Sequence, residues 1–501
     1  MLQLEKLTIT HQKDLQDLVR DLDLVLNPGE KLAIIGEEGT GKSSLIKAIV
    51  APQLLSSYAQ LSGNITNHFH QFGYLPQALE NEELQLTVMD FLYQDLDYGL
   101  FDFNLFYKYA VQFGLDVDRF DAQNQTLASL SGGERLKVQL LKILTTDPDL
   151  LILDEPSSDL DLETLQWLEN FIQRSEKAIL FISHDESLLA RAATAILHLE
   201  LLKKRTEPRA TFYRGSYDQY RQERREKFEH QLQVAKKERE EHTKKMERHH
   251  RIHQSVEHVL RHTHDSTAGR LLAKKMKNVL SQEKRLKKEA ENLTEIPQDM
   301  DAIQLFFSEI KPLPASKILL TWEKMLLPTG QTVDWQIRGQ DKLVITGKNG
   351  IGKTRLLKLL LQDLRARTDL SLGYMPQHYE EEFEAQSTPL SFLASVADEE
   401  KVRTLLASLK FTRQEAVHSL HDLSGGQKAK LFLARMVLAG NNVLVLDEPT
   451  RHFSPTSQPL IRQLLMDYPG AIISVSHDRC FIEEVATIHY QLDKEKLVRT
   501  R

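Results

Sequence analysis

Gly36-Glu-Glu-Gly-Thr-Gly-Lys-Ser43 follows the apolar run Leu32–Ile35 and opens a helix-like segment, Lys42–Val50. The arrangement returns as Gly347-Lys-Asn-Gly-Ile-Gly-Lys-Thr354 after a second apolar run that starts at Leu343. Three further phrases follow each copy in the same order: Leu130-Ser-Gly-Gly-Glu134 and Leu423-Ser-Gly-Gly-Gln427, Leu150-Leu-Ile-Leu-Asp-Glu155 and Val443-Leu-Val-Leu-Asp-Glu448, Ser183-His-Asp185 and Ser476-His-Asp478. Ser131 and Asp154 are 23 residues apart, as are Ser424 and Asp447. Glu155 to His184 and Glu448 to His477 are both 29 residues. Two matched series in one order mean an internal duplication, which has to be read before anything else.

Outward from these phrases, Leu150–Asp154, Ala178–Ser183, Val443–Asp447 and Ala471–Ser476 are continuous apolar runs. Such runs suit strands buried on both faces of a parallel sheet. The spacing predicts α/β architecture with two P-loop domains in tandem, over 1–202 and 302–501. Residues 203–301 between them are of another kind. Ser216 can cap one long helix, and Asp265-Ser266-Thr267 a second that runs to about Asn292. On the second, Leu272, Met276, Val279, Leu286 and Leu293 form a heptad seam, with Glu283 and Ala290 in the missing places. On the first, Phe228, Leu232, Ala235 and Met246 make a patchier stripe. The reading is a long antiparallel α-helical hairpin with a tip at about 249–268, where about 27 residues give an arm of roughly 40 Å.

The chain of 501 residues is 41% hydrophobic, enough for packed cores. It holds no apolar run of membrane-spanning length, and its start, MLQLEKLTIT, is not that of a secretory signal. Its single cysteine, Cys480, excludes an internal disulfide, fits a reducing compartment and reads as a small buried residue. The net charge of −7 conceals an asymmetry. Residues 221–290 carry 20 Lys and Arg against 11 Asp and Glu, and eight of the 19 histidines. A basic arm on an acidic body, with Arg270, Lys274, Lys275 and Lys277 clustered on it, suits a polyanionic partner. A solvated spacer is the blander alternative, but it gives no reason for an apolar seam.

The loop phrases carry phosphate chemistry. Gly36, Gly39 and Gly41, and Gly347, Gly350 and Gly352, let backbone N–H groups converge on phosphates at a helix start. Glu37, Glu38, Thr40, Lys348, Asn349 and Ile351 complete the loops, and Ser44 and Arg355 follow them. Lys42 and Lys353 supply a mobile positive charge. Ser43 and Thr354 are candidate Mg²⁺ ligands, with Asp154 and Asp447 at the ends of apolar strands. Glu155 and Glu448 are candidate bases for an attacking water. His184 and His477 are candidates for the terminal phosphate. Gln77 and Gln377, in GYLPQ and GYMPQ, are candidates for Mg²⁺ and water. Only His11 and Trp322 offer themselves as aromatic platforms for a nucleobase.

Together these residues resemble the ATP-binding cassette superfamily over roughly 400 of the 501 residues. The resemblance implies a head-to-tail sandwich of two ATPs with Mg²⁺. Lys42 would face Ser424, Gly425 and Gly426, and Lys353 would face Ser131, Gly132 and Gly133. Tandem cassettes with a charged helical linker and no membrane segment resemble the ABC-F subfamily in particular. That likeness implies a cytoplasmic ATPase, a monomer with an intramolecular cassette dimer and no obligate protein subunit. It implies binding to the ribosome near the tRNA exit site, with the linker directed at large-subunit rRNA, the peptidyl-transferase centre and P-site tRNA. By position alone, the RNA-contacting candidates are Arg251, Arg261, Arg270, Lys274, Lys275 and Lys277. Members of the subfamily are translation factors or protect ribosomes from antibiotics. The substantial tip and the lack of a long basic C-terminal extension favour protection.

The repeat is imperfect. Glu38 stands where the second loop has Asn349, and Ser454 stands where the first cassette has Asp161. The two sites are therefore expected to turn over unequally. Lys42 to Ser131 is 89 residues, against 71 from Lys353 to Ser424, a difference that includes the aromatic stretch Phe91–Phe113. In the subfamily this region carries an arm toward ribosomal protein, although ordinary variation of a helical subdomain explains it equally well. Two rival classes are the ATPase subunit of a transporter with separate permeases and a DNA-repair cassette ATPase. The first leaves the basic hairpin unexplained. The zinc-binding form of the second needs cysteines this chain lacks.

Overall fold

The computed structural model describes residues 1–13, 15–94, 101–202, 207–262, 266–294, 310–383 and 387–501, with backbone only at 266–269, 291 and 381. The expected cap Asp265, the linker parts 203–206, 263–265 and 295–301, and the start of the second cassette at 302–309 lie outside these residues. The cassettes, 1–217 and 300–501, form one unit, and 218–299 form another.

The strands of the first cassette are β1 (Leu2–His11), β2 (Asp17–Leu26), β3 (Lys31–Ile35), β4 (Ala59–Asn67), β5 (Phe72–Leu75), β6 (Leu150–Asp154), β7 (Ala178–Ile182), β8 (Ala195–Leu202) and β9 (Glu207–Arg214). Those of the second are β10 (Ile318–Leu326), β11 (Thr332–Arg338), β12 (Lys342–Thr346), β13 (Leu372–Met375), β14 (Val443–Asp447), β15 (Ala471–Val475), β16 (Ile488–Leu492) and β17 (Leu497–Arg499). The central sheets share one topology, β5-β6-β7-β3-β8-β9 and β13-β14-β15-β12-β16-β17. All pairs are parallel except the last of each sheet. Parallel strands end on one edge, so this topology delivers Gly36, Asp154 and Ser183, or Gly347, Asp447 and Ser476, to a common rim.

The apolar strands are buried on both faces because successive side chains point to opposite sides. In the second cassette Leu343, Ile345, Val443, Val445 and Ile473 pack with Leu356, Leu357 and Leu360 of helix Lys353–Arg365. Their neighbours Val344, Leu444, Leu446 and Ile472 join Phe432 and Met436 of helix Gly425–Leu438. The sheet is thus held between the helix that starts at the phosphate loop and the helix that starts at the Ser-Gly-Gly phrase.

The cassettes differ where the first adds β4 to an antiparallel sheet, β2-β1-β4, while β10 pairs only with β11 among the described residues. This is where most of the extra length lies: Val50 to Phe72 in the first cassette corresponds to Arg365 to Leu372 in the second. The aromatic stretch accounts for the smaller part. Its helix Phe103–Phe113 sets Phe113 edge-on against Trp167 at 4.9 Å, and it leaves Phe103, Tyr107 and Val111 exposed. On β10, Arg367 donates to the carbonyls of Ile318 and Leu319 at 3.2 and 3.1 Å, which blunts a strand edge.

The second unit is a pair of helices, Tyr217–His262 and Ser266–Glu291, of 46 and 26 residues. Ser216 immediately precedes the first. That helix continues through 249–262, so most of the expected tip is helical, while the 26 residues of the second helix agree with the arm of about 27 residues read from the sequence. On the second helix Leu272, Met276, Val279, Glu283 and Leu286 are buried or half-buried, and the seam then passes to Glu289 because Ala290 is exposed. The first helix presents Ala235, Arg239, His242, Met246, His249, His253, Val256 and Leu260 at alternating four- and three-residue steps. His242 Nε2 lies 2.9 Å from Leu286 O, and His249 Nε2 lies 2.8 Å from Val279 O. The stripe looked patchy because histidines occupy seam positions that apolar counting skips.

Candidate functional site

Both phosphate loops lie on one cavity of about 1440 Å³. Its lining includes Gly39, Lys42, Ser43, Gln77, Glu155 and His184 from the first cassette, and Gly350, Lys353, Thr354, Gln377, Glu448 and His477 from the second. Ser44 and Arg355 line it too. Gly36 is required by close approach, since a Cβ there would lie 2.2 Å from Leu199 O. The same atom on Gly347 would lie 2.6 Å from Leu492 O. Lys42 Nζ donates to the carbonyls of Gly36 and Glu37 at 2.8 and 2.9 Å, and Lys353 Nζ to those of Gly347 and Lys348 at 2.8 and 3.0 Å. Thr40 closes the first loop by donating to Glu37 O at 2.8 Å. Ile351 backs the second loop, accepting on its carbonyl from Gln331 Nε2 at 3.2 Å.

At the strand ends Glu155 and Glu448 adopt φ of 50° and 52°, a left-handed conformation unusual for glutamate. Such backbone costs on the order of 1 kcal/mol or more and concentrates at functional positions. Local geometry is repeated here, but electrostatics is not. Glu155 Oε2 accepts from Gln77 Nε2 at 2.9 Å and from Ser158 at 3.3 Å, and its Oε1 lies 3.5 Å from His184 Nε2. Burial acts to raise its pKa, yet His184, Lys42 and Ser158 together hold it at about 2. Glu448 accepts from the backbone N–H of His477 at 3.2 Å. Burial and the adjacent Asp447 push its carboxyl up to about 8. His477 is lowered to about 4 by burial and by Lys353.

The residues fit a magnesium ion beside phosphates. Asp154 Oδ1 and both oxygens of Asp447 are buried without a hydrogen bond among the described residues, as are both ring nitrogens of His477 and Nδ1 of His184. The hydroxyls of Ser43 and Thr354 stand beside these two aspartates. Burial raises Asp154 to about 6 and raises Asp447 as well, as expected for carboxylates held ready for a cation. One carboxylate and one hydroxyl at each site suit Mg²⁺, which keeps waters and phosphate oxygens as its other ligands.

The Ser-Gly-Gly phrases start helices through matched capping boxes. Ser131 accepts from Glu134 N at 3.2 Å, and Ser424 from Gln427 N at 3.3 Å, which explains the Glu or Gln that closes each phrase. The two cassettes meet head to tail. Glu38 Oε2 accepts from Gly425 N, and Lys430 Nζ lies 3.6 Å from Glu37 Oε1. In the other direction Lys348 pairs with Glu163 at 3.0 Å, and Asn349 Nδ2 donates to Asp159 O. That carbonyl lies over Gly132, where a Cβ would approach it to 2.8 Å, and Gly133 packs on Thr164.

A buried charge network also joins the cassettes. Arg462, 1% exposed, donates to Glu186 of the first cassette and to Glu484 of its own, both at 2.8 Å, and Arg479 reaches Glu169 of the first cassette at 3.0 Å. Asp185 and Asp478 cap the two helices that meet there, accepting from Leu188 N at 2.7 Å and Phe481 N at 3.1 Å. The Asp of each Ser-His-Asp phrase, ahead of an apolar run, was the available signal for those caps. The network itself had none, because its partners are distant in sequence.

Two expectations change, those for Trp322 and Cys480. Trp322 is no nucleobase platform: it is buried in the core and donates from Nε1 to Asp363 at 2.7 Å. His11 does line the cavity, and Tyr58, which sequence reasoning missed, lines it as well. Cys480 is half-buried rather than buried, with Sγ 4.0 Å from Ser187 Oγ of the first cassette. Ser454, in place of an acid, is buried and accepts from Ser457 N at 3.3 Å, whereas Asp161 accepts from Thr164 N at 3.0 Å. Asp161 thus caps the helix Leu162–Arg174, whereas Ser454 closes a turn ahead of the helix Gln458–Met466.

The family described as ABC transporter matches residues 19–158 and 331–451, which together make more than half of the chain. The chain is 28% identical to the putative ATP-binding protein YdiF of Bacillus subtilis, over 94% of this chain and 77% of that protein. It is 28% identical to the ATP-binding protein Uup of Escherichia coli, with the same coverage of each chain. It is 26% identical to ABC transporter F family member 5 of Arabidopsis thaliana, over 93% and 72%. Among solved structures, an archaeal ribosome recycling factor, aABCE1, in complex with the ribosomal stalk protein aP1, aligns over 99% of this chain and 90% of that chain. Its TM-score is 0.63 at 16% identity, which establishes a shared fold. With both phosphate-loop halves matched and F-subfamily relatives aligned along nearly its whole length, the chain belongs to the ABC transporter family of ATP-binding cassette proteins and, within it, to the ABC-F subfamily.

Proposed function

We propose that the protein is an ATPase that acts on the ribosome. Its two composite sites close on ATP and open on hydrolysis. The closed form binds near the tRNA exit site, and the hairpin acts on the peptidyl-transferase region, P-site tRNA or a bound antibiotic. The observation that carries this reading is the combination of two phosphate sites on one cavity with a separate helical unit bearing exposed basic residues. Arg251, Arg261, Arg270, Lys274, Lys275 and Lys277 are all exposed there. Lys and Arg neutralise phosphates, and histidine or arginine planes stack on unpaired bases. The aligned recycling factor is itself a ribosomal protein's partner. No helix among the described residues is long and apolar enough to cross a membrane.

In this reading the loop residues bind the phosphates, and Lys42 and Lys353 turn from their own carbonyls to the β- and γ-phosphates. Glu155, ionised at neutral pH, receives the proton of the attacking water; Glu448 holds the matching place in the second site and can act so only once it has lost its own proton, and His184 and His477 donate toward the terminal phosphate. Magnesium, held by Ser43 and Asp154 or by Thr354 and Asp447 with Gln77 or Gln377 alongside, would neutralise charge between the phosphates. ATP drives closure only to the extent that it binds the closed state better. The protein works in the cytosol as a monomer and protects ribosomes from large-subunit antibiotics.

Footprinting of large-subunit rRNA and P-site tRNA with the ATP-bound protein tests the site of action. Protection at the tRNA exit site and peptidyl-transferase centre is expected, and an unchanged footprint would contradict it. Drug susceptibility with and without the gene tests the role. Reduced susceptibility supports protection. An rRNA footprint without any change in susceptibility would mark a housekeeping translation factor instead.

A further inference from the structure

The first phosphate loop departs from the second at Glu38, and the side chain leaves its own cassette. Gly425 N–H donates to Glu38 Oε2, and His452 Nδ1 lies 3.6 Å from Oε1. Gly425 opens the 14-residue helix Gly425–Leu438, so the carboxylate sits at a positive helix end. The contact is closely built: a Cβ on Gly425 would lie 2.6 Å from His452 Nδ1 and 3.0 Å from Glu38 Oε1. Burial opposes the charge, but His452 and the Gly425 N–H hold the Glu38 pKa below its ordinary value, so the side chain is an anion at neutral pH.

The second loop has no such anion. Asn349 donates its amide to Asp159 O, and Arg451 holds the Asp159 side chain at 2.7 Å. His452 and Asp159 stand at matching places, each four residues beyond the strand-end glutamate. The repeat therefore departs at two facing positions together, an acid in one cassette against a histidine in the other.

We propose that Glu38 is an internal anion that holds the opposite cassette's Ser-Gly-Gly helix at the place a nucleotide's terminal phosphate takes, so ATP must displace it at the first site. This rests on the reading of both sites as composite ATP sites. One helix start cannot bind two anions in the same few ångströms, so the first site binds ATP more weakly than the second. Glu38 is a positioning residue, acting through the helix it holds.

The test is a titration of the full-length Glu155→Gln/Glu448→Gln protein with a fluorescent ATP analogue and magnesium, with and without Glu38→Asn. Two binding phases are expected. Glu38→Asn tightens the weaker by about tenfold, the scale of one charge-assisted hydrogen bond, and leaves the stronger unchanged. The same substitution lowers Tm without nucleotide. A merely structural role would weaken affinity and stability together, so opposite signs support the latch. A weaker phase that is unchanged or weakened further overturns it while leaving the ATP reading intact. Absence of binding in every variant overturns the ATP reading and the latch with it.

Discussion

Gln77 Nε2 donates to Glu155 Oε2 at 2.9 Å, while the repeat partner of that carboxylate, Glu448, accepts from the backbone of His477 at 3.2 Å. A carboxylate held at about 2 is ionised and ready as a base at neutral pH, and one pushed up to about 8 is largely protonated. Steady-state ATPase assays at pH 7 should therefore fall by about 10²-fold in Glu155→Gln and by no more than about twofold in Glu448→Gln, given the usual contribution of a general base. Equal losses would contradict the inequality.

The same two residues should move stability in opposite directions. The depressed pKa of Glu155 contributes stability that is present above about 4.5 and lost as pH falls toward about 2. The raised pKa of Glu448 works the other way: its stability is present below about 4.5 and lost as pH rises through about 8. In thermal melts at pH 8.5 without nucleotide, Glu155→Gln should lower Tm and Glu448→Gln should raise it, each by roughly 2–5 °C. Shifts of the same sign would show that the two environments are alike.

How much of this was legible in the sequence depended on whether a signal was local. Leu32–Ile35 running into Gly36 and Lys42 carries strand, turn and helix start in a dozen residues, so both phosphate sites and the α/β sheets could be read directly. Duplication supplied the pairing of Glu155 with Glu448 and of His184 with His477. What sequence could not reveal was direction and distance. Glu38 was visible as an odd carboxylate, but its turn toward Gly425 and His452 depends on the opposite cassette. Trp322 sits the right distance upstream of a phosphate loop, yet core packing and Asp363 claim it. The hairpin's histidines escaped because His242 and His249 fill seam positions through hydrogen bonds to backbone carbonyls rather than through apolar character.

Arg462 and Glu186 come from different cassettes and are 1% and 4% exposed. Removing one member of a buried pair strands the other charge, at about 3–5 kcal/mol. Arg462→Met should destabilise the full chain by about that amount in urea unfolding, and adding Glu186→Gln should recover part of the loss, because no buried charge is then left stranded at Glu186. Strict additivity of the two changes would show that the contact does not couple the cassettes.

Sedimentation through sucrose tests the central claim most directly, that ATP closure of the paired cassettes drives binding to the ribosome. The Glu155→Gln/Glu448→Gln protein, unable to complete hydrolysis, should travel with ribosomes when ATP is present and remain at the top of the gradient without it. The bound fraction should fall steeply as salt rises, as contacts to RNA phosphates require. Protein that stays in the soluble fraction with ATP, or that follows membranes, would contradict the account.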